Sequence, residues 1–339
     1  MPGLQETAAA LVAPGKGVLA ADESIATMSK RLEGAGVPAS PDARRDYREL
    51  LLTTAGLSGY ISGIILCDET LRQALSDGTP FGEGAQALGI HPGIKVDAGV
   101  TPLPFADGGV VTEGLDGLRG RLEQYRELGA TFAKWRAVLA PVGLNERCVW
   151  ANAHALARYA ALCQEAGIVP IVEPEVLMDG SHGAELCQEV TTNALSTVFG
   201  EIDRLGVDPS GMVLKPNMVI SGTDNDHQSE PADVARQTLG VLRDTVPPTV
   251  PGIAFLSGGQ SNERACANLE AINRSAEEDG SAPWRLTFSF GRALVNDALS
   301  TWHGVSANVA DAQAALSANC ARASVSSAPS AQGAESAGV

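Results

Sequence analysis

The chain has 339 residues, with 24 Lys and Arg against 40 Asp and Glu, which gives a net charge of −16 at neutral pH. A balance this acidic repels phosphate backbones and anionic lipids, so nucleic acid and membrane surfaces are not expected partners. Hydrophobic residues at 44% and charged residues at 19% are typical of a globular protein and exclude disorder over the whole chain.

The amino-terminal 17 residues lack the basic start and uninterrupted apolar run of a secretory signal, so we expect a cytoplasmic protein. The uncharged residues between Glu49 and Asp68 contain three glycines and end in the run Ile61 to Leu66. This pattern predicts a helix end, a turn and a buried strand rather than a membrane span. The cysteines have no CxxC spacing, and we expect buried, reduced thiols at Cys67, Cys148, Cys163, Cys187, Cys266 and Cys320.

Eight short apolar runs alternate along the chain with longer stretches of helical periodicity, which is typical of parallel strands joined by right-handed crossovers. Eight such units predict an α/β fold, the (β/α)8 TIM barrel. The alternative is a doubly wound open sheet, but no GxGxxG motif follows the first strand. The predicted strands are Val18–Asp22, Ile61–Asp68, Gly93–Asp97, Thr131–Trp135, Val169–Glu173, Met212–Lys215, Ile253–Ser257 and Leu286–Phe290. Predicted helices include Gly117–Leu128, Asn152–Ala166, Glu185–Leu205, Ala232–Asp244 and Asn262–Asp279.

The composition changes near the carboxyl terminus, where small and polar residues take over from Ala321 onward. Such a segment has too little apolar surface to offset the entropy of ordering it. We therefore expect a single barrel domain over residues 1–320 and a flexible, disordered Ser/Ala-rich tail over residues 321–339.

Charged residues stand at or just beyond the carboxyl ends of the apolar strands. In a barrel these ends meet at one mouth, where active sites of this fold lie. Residues two apart on a strand share a face, so there are three candidate same-side pairs: Lys95 with Asp97, Lys134 with Arg136, and Glu173 with Glu175. One such residue alone is typical of a structural ion pair, but a whole set is costly to bury unless it is paired or functional. The set is Asp22, Lys95, Asp97, Lys134, Arg136, Glu173, Glu175, Lys215 and Arg292.

Lys215 is the most informative member of this set. It follows the apolar residues Met212 to Leu214 and precedes Pro216, which favours extended backbone. Burial and neighbouring cations such as Lys134 both disfavour a charged ammonium, and a neutral amine beside carboxylates indicates a Schiff base with a ketone or aldehyde. The alternative is a divalent metal held by the acidic groups. No His stands among the strand-end residues, which disfavours zinc but not magnesium.

Two glycine-containing segments predict a phosphate site. LSGGQSN (Leu256–Asn262) follows the seventh predicted strand, and FSFGRAL (Phe288–Leu294) overlaps the end of the eighth. Barrel enzymes often bind phosphate in the loops after these two strands, since glycine lets backbone N–H groups approach the anion. Arg292 adds a charged, bidentate donor.

At these residues the chain resembles the class I fructose-bisphosphate aldolases. The matching segments occur in order over about the first 300 residues. They are KGVLAADES (Lys16–Ser24), GIKVDAG (Gly93–Gly99), FAKWRAVL (Phe132–Leu139), IVPIVEPEVL (Ile168–Leu177), VLKPNMV (Val213–Val219), FLSGGQS (Phe255–Ser261) and LTFSFGRAL (Leu286–Leu294). The resemblance implies a TIM-barrel enzyme of glycolysis and gluconeogenesis, usually a homotetramer, that needs no metal or other cofactor. Its reaction would be the reversible cleavage of fructose 1,6-bisphosphate into dihydroxyacetone phosphate and glyceraldehyde 3-phosphate.

The resemblance also implies a role for individual residues. Lys215 would form the Schiff base, Glu173 would act as acid and base on the carbinolamine, and Asp22 would take the proton from the C4 hydroxyl. Lys134 and Glu175 would organise the charges around them. The residues implied at the C1 phosphate are Ser257, Gly258, Gly259, Ser289, Gly291 and Arg292. Those implied at the C6 phosphate end are Ser24, Thr27, Arg31 and Lys95, with Arg45 or Arg44 nearby, and Arg136 is a further substrate-binding residue.

Two features depart from the family pattern. Members of this type generally end in a tyrosine that assists proton exchange on the enamine, whereas this chain has no tyrosine after Tyr159. Ala98 also stands where a basic residue is common. Substrate alternatives are fructose 1-phosphate and a seven-carbon bisphosphate. A different class of function, an aldolase-like scaffold, is disfavoured because a purely structural protein gains nothing from a costly buried lysine among carboxylates.

Overall fold

Eight parallel strands close into a barrel in the computed structural model, which describes residues 3–280 and 282–328. The last strand returns to pair with the first, with Val18 beside Ser289 and Leu19 beside Phe290. The predicted TIM barrel is therefore confirmed. The strands are β1 (Gly17–Ala21), β2 (Ile61–Leu66), β3 (His91–Lys95), β4 (Val100–Pro102), β5 (Val110–Thr112), β6 (Phe132–Leu139), β7 (Val169–Val176), β8 (Val213–Leu214), β9 (Gly252–Phe255) and β10 (Arg285–Phe290). Of these, β4 and β5 form a separate antiparallel hairpin that the sequence pattern did not predict.

Helices occupy the segments between barrel strands, and each of the five helices predicted above is present. Serine side chains cap the amino termini of three helices: Ser24 accepts from the N–H of Thr27, Ser40 from that of Ala43, and Ser261 from that of Arg264. The helices are α1 (Leu4–Leu11), α2 (Ile25–Gly34), α3 (Pro41–Leu52), α4 (Asp68–Leu71), α5 (Phe81–Ala87), α6 (Leu118–Glu127), α7 (Glu146–Glu165), α8 (Ala184–Arg204), α9 (Pro231–Thr245), α10 (Asn262–Asp279), α11 (Arg292–Trp302) and α12 (Val309–Ser327).

Successive side chains of a strand point alternately into the barrel and out toward the helices, which produces two apolar layers. In β1, Val18 and Ala20 belong to the cluster inside the barrel, whereas Leu19 and Ala21 belong to the larger cluster between strands and helices. Helix α1 contributes Ala8, Leu11 and the following residue Val12 to the inner cluster. The inner layer is thus filled with side chains, which leaves the charged residues at the carboxyl ends of the strands.

The barrel strands β6 and β7 extend four and three residues, respectively, beyond their predicted ends. Their register continues past the charged residues, with Arg136 beside Glu173 and Val138 beside Glu175. The prediction ended these strands too early because charged residues usually mark the end of a buried strand. Here oppositely charged side chains on adjacent strands pair with each other, so the ladder continues to the mouth.

The tail predicted to begin at Ala321 was wrong over residues 321–327, which belong to α12. Ala323 is fully buried, and the Ser324 hydroxyl donates to the carbonyl of Gly15. Small side chains in this stretch allow α12 to pack closely against α10 and α11, so little apolar area is needed to order it. Residues 329–339 of the predicted tail lie outside the described residues. Within the described ranges, no helix combines the length and apolar character needed to cross a membrane.

Candidate active site

Four buried charged side chains meet at the mouth of the barrel. Lys215, directly after β8, places its Nζ 3.0 Å from Oε1 of Glu173 on β7. Lys134 on β6 places its Nζ 2.7 Å from Oδ2 of Asp22, which follows β1, and 3.3 Å from Oε2 of Glu173. All four residues are less than a tenth exposed. The structure therefore joins these predicted residues in one continuous chain of alternating charge, Asp22–Lys134–Glu173–Lys215.

The charges in this cluster fix the protonation states of Asp22 and Lys134. Burial acts to raise the pKa of Asp22, but the cations of Lys134 and Lys215 outweigh it and hold the pKa below its ordinary value. Burial acts to lower the pKa of Lys134, but Asp22 and Glu173 outweigh it and raise the pKa above its ordinary value. At neutral pH the site therefore holds a carboxylate at Asp22 and an ammonium at Lys134.

Glu173 is the branch point of the cluster. Its Oε1 lies beside Lys215, whereas its Oε2 is buried, lies 3.3 Å from Nζ of Lys134 and makes no hydrogen bond to a described residue. A buried carboxylate oxygen without a hydrogen-bond partner is costly. Oε1 is the carboxylate oxygen in position to exchange a proton with the amine of Lys215, whereas Oε2 lies on the side of Lys134.

Two further ion pairs flank the cluster. Glu175 on β7 accepts from the guanidinium of Arg136 on β6. Burial acts to lower the pKa of Arg136, but the Glu175 carboxylate raises it above its ordinary value. Lys95 contacts Asp97 at 2.7 Å, which confirms the same-face pair predicted for β3, and the other carboxylate oxygen of Asp97 accepts from the backbone N–H of Arg136.

The predicted phosphate loops lie after β9 and at the end of β10. Gly258 and Gly259 have φ angles of 54° and 79°, the left-handed region that favours glycine. Ser289 is 1% exposed and its hydroxyl has no hydrogen-bond partner among the described residues. Gly291 precedes α11, whose first residue, Arg292, is exposed. A buried hydroxyl without a partner, two left-handed glycines and a helix start are suited to an anion.

Three of the residues predicted for the C6 phosphate end, Ser24, Thr27 and Arg31, lie on or next to α2. Ser24 and Thr27 lie at the start of α2, with their hydroxyl oxygens 3.0 Å apart. Arg31, one turn further along α2, donates to Asn296 of α11 at 3.0 Å and is close enough to Arg292 for their charges to interact. The structure therefore places Arg31 beside the loop predicted for the C1 phosphate.

The two arginines of α3 that were predicted to lie near the C6 phosphate contact other residues. Arg45 pairs with Asp42 and Asp46 of its own helix. Arg44 forms a two-pronged pair with Glu69 of α4, with contacts of 2.6 and 2.7 Å. None of these contacts joins either arginine to the charge cluster.

Two residues outside the predicted set support the mouth. Glu23 pairs with both Arg31 and Arg48, and Arg48, which is 1% exposed, also donates to the carbonyl of Ala21 at the end of β1. Glu23 adjoins Asp22 in the sequence, and that adjacency was the signal for its role. Arg48 gave no comparable signal, because it looks like an ordinary charge on a helix face. Within the described ranges, no group of three His, Cys, Asp or Glu side chains is placed to hold a metal ion.

Comparison with known proteins identifies the family of the chain. The family model described as "Glycolytic: Fructose-bisphosphate aldolase class-I" matches residues 3–338. The chain is 52% identical over 316 residues to the probable fructose-bisphosphate aldolase class 1 of Xanthomonas axonopodis pv. citri, covering 91% of this chain and 92% of that protein. It is 48% identical over 320 residues to the cytosolic fructose-bisphosphate aldolase 5 of Arabidopsis thaliana, covering 94% and 88%. A solved structure of the Plasmodium falciparum aldolase superposes with a TM-score of 0.92 at 44% identity, covering 96% of this chain and 93% of that one.

Fold and site together define a TIM-barrel protein with a buried lysine–carboxylate cluster at its mouth. The chain belongs to the class I fructose-bisphosphate aldolase family. Enzymes of this class cleave a sugar bisphosphate through a lysine Schiff base and need no metal ion.

Proposed function

We propose that Lys215 is the Schiff-base lysine of this enzyme and that the chain Asp22–Lys134–Glu173–Lys215 carries the proton transfers. The supporting observation is the 3.0 Å contact between Lys215 Nζ and Glu173 Oε1, both 4% exposed as side chains. At this distance the Lys215 nitrogen can pass a proton directly to the Glu173 carboxylate. Nucleophile and proton acceptor are thus already in position.

Formation of the Schiff base begins when the Lys215 ammonium passes a proton to Glu173, and the neutral amine attacks the C2 carbonyl of open-chain fructose 1,6-bisphosphate. Glu173 moves a proton from the nitrogen to the oxygen, which yields the neutral carbinolamine. The proton that Glu173 received from the Lys215 ammonium then lets the hydroxyl leave as water, and the C2–N bond becomes a protonated imine. The neighbouring ammonium of Lys134 and the ion pair of Glu175 with Arg136 keep the carboxylates oriented.

Cleavage follows from the charge on Asp22. Because its pKa is held low, Asp22 is a carboxylate and can take the proton from the C4 hydroxyl. The electrons of the C3–C4 bond then move into the protonated imine, which gives an enamine and releases glyceraldehyde 3-phosphate. Protonation of the enamine at C3 needs an acid, and the proton that Asp22 took up can reach Glu173 through Lys134, which contacts both carboxylates and supports Glu173 as the donor. Hydrolysis of the imine releases dihydroxyacetone phosphate and regenerates Lys215.

The two phosphates of the substrate require two anion sites. For the C1 phosphate the supporting features are the left-handed turn of Gly258 and Gly259 and the free hydroxyl of Ser289. Ser257 and Gly291 complete this site with Arg292. For the C6 phosphate we propose Ser24 and Thr27 at the start of α2 together with Lys95. Arg31, which lies beside Asn296, is placed to serve either phosphate.

Cleavage assays test this assignment. Wild-type protein treated with EDTA should cleave fructose 1,6-bisphosphate as fast as untreated protein, because the lysine imine is the electron sink.

Lys215→Met should lower kcat by more than about a thousandfold, since no other nucleophile replaces the amine. Lys16→Met is the matched control, because Lys16 precedes β1 at the opposite end of the barrel. Loss of activity with EDTA that a divalent ion restores, or an active Lys215→Met variant, would overturn the proposal.

We also propose that the protein is a homotetramer of the cytoplasm. Large apolar side chains are exposed around the β4–β5 hairpin and the start of α7, with Phe105 at 90% and Val142 at 67%, and an interface would bury them. All six cysteines lie within the described residues and are unpaired, which suits a reducing compartment. Sedimentation equilibrium should give four times the chain mass of 35.0 kDa, and a monomer would contradict the assembly.

A further inference from the structure

The loop after β9 is held by a hydrogen-bonded chain that runs down to helix α10. Residues 257–260 form a tight turn in which the backbone N–H of Gln260 donates to the carbonyl of Ser257 at 3.0 Å. Both central residues, Gly258 and Gly259, have positive φ, which corresponds to the mirror-image type I′ turn. Only glycine adopts both positions without strain, and a turn this small has few contacts of its own to fix its orientation.

The side chain of Gln260 supplies the missing contacts. Its Nε2 donates to the same Ser257 carbonyl at 3.0 Å and lies 3.8 Å from the sulfur of Met218, three residues after Lys215. Its Oε1 accepts from Nδ2 of Asn268 on α10 at 2.6 Å. Gln260 therefore ties the turn both to the segment that follows Lys215 and to a helix.

Within the part of the chain that the structure describes, the side chain of Asn268 makes one hydrogen bond, and this bond goes to Gln260. It is 1% exposed, its Nδ2 is bonded to Gln260, and its Oδ1 has no hydrogen-bond partner among the described residues. A leucine would fill this position without leaving a buried oxygen unpaired. An amide at this buried position therefore costs stability, and the hydrogen bond that it makes holds the side chain of Gln260.

This chain of bonds sets the direction of a backbone donor. In a trans peptide the carbonyl of one residue and the N–H of the next point in opposite directions. Two donors hold the Ser257 carbonyl toward Gln260, so the N–H of Gly258 points away from Gln260 and α10. Within the described residues, neither the Gly258 nor the Gly259 N–H has an acceptor.

We propose that Asn268 is a positioning residue for the C1 phosphate, acting through Gln260 to aim the Gly258 and Gly259 N–H groups at the anion. This rests on the proposed function, because it takes the loop after β9 as the phosphate site. Asn268 touches no substrate itself. Its effect should appear in binding of the phosphate and not in the chemistry of Lys215.

The test compares dihydroxyacetone phosphate with dihydroxyacetone, which lacks the phosphate. Each forms an imine that borohydride reduces, and the concentration for half-maximal inactivation measures its binding. Asn268→Ala should raise that concentration about tenfold for dihydroxyacetone phosphate and leave it unchanged for dihydroxyacetone, since two aimed donors are lost only to the phosphate. With fructose 1,6-bisphosphate, KM should rise and kcat should change little.

Asn273→Ala is the matched control on the same helix. Asn273 bonds the carbonyls of Leu269 and Ser326, so its loss should lower the Tm without altering either half-maximal concentration. If Asn268→Ala fails to fold, Gln260→Leu removes the same link and should reproduce the selective loss of phosphate binding. The proposal is overturned if the variant binds both ketones as wild type does, or binds both more weakly to the same degree.

A separate variant distinguishes this outcome from failure of the proposed function. Arg292→Ala removes a charged donor from the same phosphate site, so it should also weaken dihydroxyacetone phosphate selectively. If Arg292→Ala has this effect and Asn268→Ala does not, the phosphate site stands and the positioning role is wrong. If wild-type protein is not inactivated by borohydride with dihydroxyacetone phosphate, the Schiff-base function itself fails.

Discussion

Two carboxylates and two lysines share the barrel mouth, each less than a tenth exposed. Burying any one charge alone would cost several kcal/mol, but in this order each cation lies between or beside carboxylates. Removing one member leaves its neighbour buried without its partner. The residues that carry the chemistry are therefore also residues on which stability depends.

The contribution of Asp22 to stability can be measured by changing the pH. Its folded-state pKa lies below the ordinary 3.8, so the unfolded chain binds the proton more readily than the folded chain. The stability conferred by the Asp22 carboxylate is present above pH 3.8 and is lost as the pH falls through the folded-state pKa. Asp22→Asn should lower the free energy of unfolding by about 1.5–3 kcal/mol at pH 6, and the difference should shrink as the medium is acidified.

Urea unfolding of both proteins from pH 6 to pH 3 measures this difference. A gap between wild type and Asp22→Asn that stays constant over the whole range would show that the charge of Asp22 contributes nothing to stability.

At the scale of single elements, the glycine of the GIKVD segment has a packing role. A Cβ at Gly93 would lie 2.2 Å from the ring of Phe132 on the adjacent strand β6. Gly93→Ala should therefore destabilise the protein by about 1–3 kcal/mol, because the barrel interior is filled. Gly200→Ala is the control: Gly200 lies inside α8 with open space around its missing Cβ, and alanine there should stabilise by about 0.5–1 kcal/mol.

Thermal or chemical unfolding of the two alanine variants settles the comparison. Equal stability changes of the same sign would mean that Phe132 does not occupy the space that the structure assigns to it.

Helix α12 defines where the chain can be shortened. Truncation after Ala323 would remove the Ser324 bond to Gly15 together with the buried residues Ser326 and Ser327. We expect this truncation to lower the Tm by more than about 4 °C. Truncation after Ala328 removes a segment with little apolar surface and should keep the Tm within about 2 °C of the full chain, with cleavage unchanged. Differential scanning fluorimetry and a cleavage assay on both truncated chains test this, and equal losses would contradict the boundary.

At the scale of the whole molecule, the fold followed from the eight apolar runs because parallel strands buried on both faces need nearly continuous apolar sequence. The cluster of Asp22, Lys134, Glu173 and Lys215 followed in turn, since a barrel brings the carboxyl ends of all its strands together. Contacts between helices were not predictable in this way. The bond from Arg31 to Asn296 depends on how α2 packs beside α11, and no local pattern in either segment encodes that distance.

Helix α12 escaped prediction for a related reason. Judged from its own composition, this Ser- and Ala-rich segment has too little apolar surface to offset the entropy of ordering it. Its order comes from the grooves of α10 and α11, which accept small side chains closely, and that surface exists only once the barrel has closed.

The central claim is that Lys215, and not the equally buried Lys134, forms the imine. Borohydride reduction with dihydroxyacetone phosphate, followed by peptide mass mapping, distinguishes the two lysines directly. The account predicts one adduct, on the peptide that contains Lys215, and no adduct in Lys215→Met. An adduct on Lys134, or none on the wild-type protein, would contradict it.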